Sequence, residues 1–350
     1  MKVVFFQRKP RKYGTFSVEA IFNDLRNRLP SGVLSEIRIS RFESNGIFKR
    51  LFCALEAALY QGDVNHVTGD VHFLTIFLRR RKTILTILDC GAMRDSSPLK
   101  RWFYKLFFLQ IPVWRCRYVT AISEATKREI IQYVHCLPEK IVVIPVAISD
   151  KYKPFPKPFR KECPVLLHVG LAPNKNLDRL IEAIEGLNVR LSIVGRLEEH
   201  HLEKLARHRI AYEAVFNISD EEMIEQYRRC DVLTFVSTHE GFGMPIIEAN
   251  SVGRSVLTSN TSSMPEVAGD AACLVDPYNS HDIRAGLLKI INDETYRNQL
   301  IANGFKNCQR FAPDKIAEDY FHLYLKVSGK RNYLNSIPQN SNPQNSPCAE

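Results

Sequence analysis

The chain is 350 residues long, 45% hydrophobic and 25% charged, which exceeds what one hydrophobic core organises and excludes a wholly disordered polymer. It has no apolar run of about 18 residues, so a spanning helix is not expected, and its nine cysteines form no Cys-x-x-Cys pair, which points to buried thiols rather than zinc or disulfides. The net charge of +10 lies in the first 150 residues, where 24 lysines and arginines face 13 acids, while the rest is close to neutral; an anionic partner therefore belongs to the first half.

In chain order, Lys2–Phe6 reads as a buried strand rather than a leader, since the apolar stretch is short and Gln7-Arg8-Lys9-Pro10 follows. Further strands are expected at Glu36–Ile39, Val64–Val67, Lys82–Leu88, Tyr118–Ala121 and Lys140–Ile144. Helices are expected at Phe16–Leu29, Gly46–Tyr60, Leu99–Phe108 and Ser123–Tyr133, the last capped by Ser123. Four prolines within Ser149–Pro164 break the pattern. The rhythm then restarts with strands at Val165–Val169, Val189–Val194, Ala214–Phe216, Val232–Val236 and Ser255–Thr258. Helices at Leu177–Glu185, Glu198–Ala206, Asp220–Arg228, Pro245–Val252, Ser280–Asn292 and Asp314–Val327 alternate with them. Repeated βα units mean parallel sheets. The expected layout is a first domain over 1–148, a linker over 149–164 and a second domain over 165–311. A helix over 312–330 packs back toward the first domain, and a disordered polar tail covers 331–350.

The segment Asp231–Gly253 carries the chemistry. It reads as strand, glycine turn and short helix, with Pro245 suited to the first helical turn and Gly253 to its stop. A helix amino end binds anions, and Gly241 and Gly243 let backbone approach a bulky ligand. Glu248, early in that helix, can accept two hydrogen bonds from a vicinal diol such as a ribose. Glu240, just before the turn, can accept sugar hydroxyls.

The stretch Glu240-Gly-Phe-Gly-Met-Pro-Ile-Ile-Glu248 resembles the paired-glutamate signature of glycosyltransferase family 4, the retaining GT-B enzymes. The likeness continues through Met264-Pro265-Glu266 to Asp276-Pro277, and upstream in His168-Val-Gly170-Leu-Ala-Pro173-Asn-Lys175-Asn176, Val119–Lys127 and Val143–Pro145. The resemblance implies an α/β GT-B fold: two doubly wound Rossmann-like parallel-sheet domains facing a cleft. It implies a glycosyltransferase, metal-independent and without cofactor, using a nucleoside-diphosphate sugar as donor. Lys175, beside Gly170, would contact the diphosphate, and Arg196 would be a second cation. The backbone of Gly241, Phe242, Gly243 and Met244 would hold phosphate and sugar, Glu240 the donor sugar and Glu248 the ribose.

Where the family often has Arg after the first glycine this chain has Leu171, and Leu88-Asp89 stands where many members have His-Asp. Either Asp89 or His72 takes over that histidine's role beside Glu240 and Lys175, or activity is impaired. Asp70 and Gly14, in a shortened glycine loop, are acceptor-side candidates. The partners implied are a UDP- or GDP-sugar and a glycan or lipid-linked acceptor, in surface polysaccharide or glycolipid synthesis. The alternatives are a degenerate sugar-nucleotide or glycan binder and a GT-B-like epimerase.

The basic, aromatic segment Lys100–Arg117 is either an interfacial helix on an anionic membrane or a core helix with a charged edge. No nucleic-acid recognition module is present. The expected location is cytoplasmic, peripheral to the membrane.

Overall fold

The structure, a computed structural model, describes residues 1–9, 17–43, 46–94 and 97–330. Gly14 and the tail over 331–350 lie outside the described residues. The first half runs β1 (Lys2–Gln7), α1 (Ser17–Arg28), β2 (Leu34–Ile39), α2 (Ile47–Ala58), β3 (Val64–Val67), β4 (Thr83–Ile87), α3 (Pro98–Tyr104), α4 (Ile111–Trp114), β5 (Tyr118–Ala121), α5 (Glu124–Tyr133) and β6 (Ile141–Val143). The second half runs β7 (Val165–Val169), α6 (Leu177–Ile184), β8 (Arg190–Val194), α7 (Glu199–Arg207), β9 (Ala211–Val215), α8 (Asp220–Arg229), β10 (Val232–Phe235), α9 (Met244–Val252), β11 (Ser255–Ser259), α10 (Met264–Ala268), β12 (Cys273–Val275), α11 (Ser280–Asn292), α12 (Glu294–Cys308) and α13 (Pro313–Ser328).

Two six-stranded parallel sheets result, ordered β2-β1-β3-β4-β5-β6 and β12-β11-β10-β7-β8-β9. Every residue of β3, β4, β10 and β11 is buried, because crossover helices cover both faces of a parallel sheet and water reaches neither. The second sheet reverses its winding between β7 and β10. Ligands of open α/β sheets sit at that crevice, beyond the carboxyl ends of the strands. The loops after β7 and β10 are therefore the place to look.

The last helix, α13, crosses back to the first sheet. Its Ile316, Tyr320 and Tyr324 share a core with Val3, Phe5 and Phe22. Buried His66 joins the two: one ring nitrogen meets the Tyr324 hydroxyl at 2.8 Å and the other Thr86 Oγ1 at 2.7 Å. Burial pulls its pKa down to about 3, and that of His168 in the second domain to about 4. Both rings take up a proton more readily when unfolded. Their contribution is thus intact above the unfolded value near 6.5 and erodes as pH falls toward 4, by up to about 1.4 kcal/mol per pH unit for each. Urea unfolding should show a midpoint that falls from pH 7 to pH 5. The gap between wild type and His66→Asn should narrow over the same range, and a constant gap contradicts the assignment.

The proline-rich segment 149–164 has no helix or strand, yet it is tied down to the second domain. The side chain of Asp231, with no exposed surface, pairs with Lys157 at 2.6 Å and Arg160 at 3.0 Å, and accepts from the Val165 amide at 2.8 Å. The buried guanidinium of Arg254 donates to the Phe155, Tyr227 and Arg228 carbonyls, each at 2.9 Å.

Four elements differ from the sequence expectation. The three-residue β12, α10 before it and α12 after α11 were not expected. The expected helix at Leu99–Phe108 runs from α3 through a π-helical stretch, Lys105–Gln110, into α4. Pro112 has no N–H for the carbonyl four residues before it. That carbonyl, Phe108 O, takes the Nδ1–H of His72 at 2.6 Å instead.

Candidate active site at the domain cleft

The loop after β7 begins at Gly170, with φ of 88°. A side chain there would press on the Lys175 stem, since an added Cβ lies 3.1 Å from Lys175 Cε. Asn176 closes the loop in the left-handed region, with φ of 64°, and its amide donates to Val236 O at 2.9 Å and Pro277 O at 2.7 Å. This stitches the β7 loop to the end of β10. Lys175 Nζ consequently reaches Glu240 Oε1 at 2.6 Å and stands 5.0 Å from the Phe235 ring centre. Asn174 donates to His239 O at 2.9 Å and, longer, to Glu240 Oε1 at 3.4 Å. The Glu240 backbone is braced by Ser262 Oγ, which donates to its carbonyl at 2.7 Å. The result is a fixed ammonium and a fixed carboxylate at the second sheet's reversal point.

Beside them α9 starts at Gly243, with φ of 108°, and no side chain caps it. Among the described residues its first-turn N–H groups meet no side-chain acceptor, as an anion-binding helix end requires. Phe242 is buried edge-on to Phe311, with ring centres 5.5 Å apart, and Met244 packs on the same core. Phe242 therefore offers a ligand its backbone rather than its ring.

Glu248, expected to clasp a ribose, has its carboxylate engaged by two tyrosines. One carboxylate oxygen accepts the Tyr227 hydroxyl at 2.6 Å, and Tyr152 of the linker bonds it as well. Burial pushes its pKa up, and the two tyrosine hydrogen bonds pull against that. Arg196 is exposed and makes no ion pair among the described residues. Asp70 pairs with Arg8 at 3.4 Å. His72 is buried, with Nδ1 committed to Phe108 O, and burial lowers its pKa. Asp89 is exposed at the cleft, its Oδ1 accepting from the Gly91 amide at 2.7 Å.

The first domain closes directly on this loop. Gly241 sits so near the Leu88 carbonyl that an added Cβ would overlap it, and the same Cβ would be 3.1 Å from Asp89 Cβ. Two hydroxyls from the start of α5, Ser123 at 2.7 Å and Thr126 at 3.0 Å, donate to Gly241 O. In return the Glu266 carboxylate accepts the Glu124 amide at 2.7 Å and the Ala125 amide at 3.1 Å, capping α5 from the other domain. His239 adds a third tie: its Nε2 is 3.4 Å from Glu129, which also pairs with Arg94 at 2.5 Å. Burial lowers the His239 pKa against the pull of Glu129.

Sequence reasoning missed these ties. The Ser123 cap and the Met264-Pro265-Glu266 motif were visible, but not that they meet across some 142 residues of chain.

Residues 150–307 match the model of the glycosyl transferases group 1 family. The O-antigen chain mannosyltransferase B of Escherichia coli is 28% identical over 282 residues, 73% of each chain. The serotype-specific mannosyltransferase WbdA of Escherichia coli is 27% identical over 224 residues, 55% of this chain. This chain matches only 27% of WbdA's length, so it spans about a quarter of that relative. Among solved structures, Anabaena Alr3699/HepE in complex with UDP and glucose has a TM-score of 0.75 at 17% identity, over 93% of this chain and all of that one. The matched segment coincides with the half that holds the Lys175–Glu240 pair, and the two facing sheets carry the likeness in fold through the rest: the chain has the two-domain GT-B fold, and its second half is similar to the group 1 glycosyltransferases.

Proposed function

We propose that the chain transfers a sugar, mannose first among the candidates, from a nucleoside diphosphate donor to a growing surface glycan or its lipid-linked precursor. The observation that carries this reading is the Lys175–Glu240 pair beside the uncapped start of α9. The donor's diphosphate occupies that helix end, where Lys175 neutralises charge on the leaving group. Glu240 accepts hydroxyls of the donor sugar, which lies against the Gly241–Met244 backbone. Glu248 reaches the ribose by releasing its tyrosine partners.

The mannosyl preference rests on the two mannosyltransferases named above, and the diphosphate donor on the UDP-bound HepE fold relative. Asp89 faces the acceptor hydroxyl across Gly241, and His72, already engaged, positions the helix behind it. Transfer retains the anomeric configuration: the acceptor attacks on the face the diphosphate leaves, and the leaving phosphate takes its proton. No metal is required in this scheme.

Release of nucleoside diphosphate from UDP- and GDP-mannose and UDP-glucose tests it. Turnover with one donor is expected, strongly reduced in a Lys175→Ala/Glu248→Ala double variant. Equal turnover in that variant refutes the site.

A further inference from the structure

The first sheet has a basic hollow at the end opposite the cleft. The run Arg79–Lys82 leads into β4, Arg117 precedes β5 and Lys140 precedes β6. These strands are neighbours in parallel register: Ile84 pairs with Tyr118, and Val119 with Ile141. One residue back from each pair, the register sets Arg117 beside Thr83 and Lys140 beside Tyr118. The Arg117 amide donates to Thr83 O at 2.7 Å, which pins the first of these. Arg80, Arg81, Arg117 and Lys140 thereby line one cavity of about 600 Å³ at the amino ends of three strands.

These cations have little acid to balance them. None of the four makes an ion pair among the described residues, and the exposed Glu139 is the one carboxylate among the lining residues. Lys326 of α13, 4.9 Å from the centre of the Tyr118 ring, adds another cation at the edge. Lys140 is half-buried. Burial lowers its pKa and Arg80 lowers it further, while the Cys116 and Cys136 thiols oppose both. Like charges that converge on a partly dried hollow repel one another unless an anion joins them. One wall is aromatic. Trp114 Nε1 donates to His135 O at 3.1 Å, and Gln110 fixes His135 by accepting its amide at 3.0 Å. The indole is held in place with half its surface open, and Leu137 of the same lining is exposed.

We propose that this hollow binds a small phosphate ester, its phosphate among Arg80, Arg81, Arg117 and Lys140 and its organic part on the Trp114 indole. Guanidinium forks match phosphate oxygens two at a time, and the ammonium adds a compact charge. A carboxylate ligand would bring one negative charge to these cations, whereas a phosphate monoester brings nearly two. The cavity is larger than a phosphate ion fills, and a sugar ring or a base covers an indole face. A hexose phosphate and a nucleoside monophosphate share this chemistry, and titration tells them apart. The hollow is separate from the donor site: β4 runs five residues from it to Leu88 at the cleft, roughly 17 Å. Occupancy here is independent of whether the cleft transfers sugar.

Trp114 reports on the site directly. The chain has two tryptophans, so Trp102→Phe, at an exposed position outside the hollow, leaves Trp114 as the sole indole emitter. Titrating this full-length chain with inorganic phosphate, glucose 6-phosphate and uridine monophosphate should give saturable emission changes, and calorimetry measures the same affinities independently. The better ester should bind about three- to tenfold tighter than phosphate, and it names the organic part. Arg117→Gln/Lys140→Gln should weaken that ester about tenfold or more. Its Tm without phosphate should match wild type, which separates lost binding from lost folding. Lys175→Ala, altered only at the cleft, should bind the ester as wild type does. Absence of both heat and emission change with all three compounds overturns the proposal. So does unchanged affinity in Arg117→Gln/Lys140→Gln, or loss of the ester in Lys175→Ala. Equal affinity for phosphate and both esters overturns the part given to Trp114.

Discussion

Lys175→Ala is expected to lower sugar transfer by about 10²–10³-fold, the usual cost of removing one fixed charge-stabilising donor. The ammonium is not free to wander. Glu240 holds it at 2.6 Å, Phe235 lies beneath it, and its stem runs against the backbone of Gly170, where no side chain can intrude. A cation held this way before the donor arrives has little reorganisation to undergo when the diphosphate departs. The loss should fall on kcat more than on KM, because charge on the leaving oxygen grows toward the transition state. Glu240→Gln keeps the contact's shape and removes its charge; it should lower turnover less than Lys175→Ala and loosen donor-sugar discrimination. Steady-state kinetics with the preferred donor decides it. Turnover of Lys175→Ala within threefold of wild type would mean that the diphosphate lies elsewhere.

Much of the architecture was legible because it depends on local pattern. Strands buried on both faces read as short apolar runs, and β3 and β5 begin and end where the runs do. Pro245 and Gly253 bracketed α9 because their backbone preferences act within one turn. The parts that stayed hidden depend on distant partners. His72 looked like a candidate at a strand end, but its nitrogen serves a carbonyl orphaned by Pro112, far along the chain. Glu248 has the right spacing for a ribose, yet its tyrosine partners come from α8 and the linker, and no spacing within its own helix records them.

Gly241→Ala is expected to reduce turnover by about 10²–10³-fold while weakening nucleoside diphosphate binding less than tenfold. The residue does not lie in the left-handed region, so alanine meets no backbone penalty there. Space alone forbids it: the new methyl overlaps the Leu88 carbonyl, and neither strand end can yield without opening the cleft. The donor loops after β7 and β10 belong to one domain and keep their stitching through Asn176. What is lost is the closed position that brings Asp89 and the acceptor against the donor, and an ångström of misplacement between reacting groups is enough for a loss of this size. Ser123→Ala/Thr126→Val supplies the comparison. It removes both hydroxyls from the Gly241 carbonyl but introduces no overlap, so closure is weakened rather than blocked and the expected loss is about tenfold. Calorimetry, kinetics and small-angle scattering separate the cases. Gly241→Ala should bind nucleoside diphosphate and scatter as an expanded particle. A compact Gly241→Ala chain turning over at the wild-type rate would show that the contact between Gly241 and Leu88 has no part in the working state.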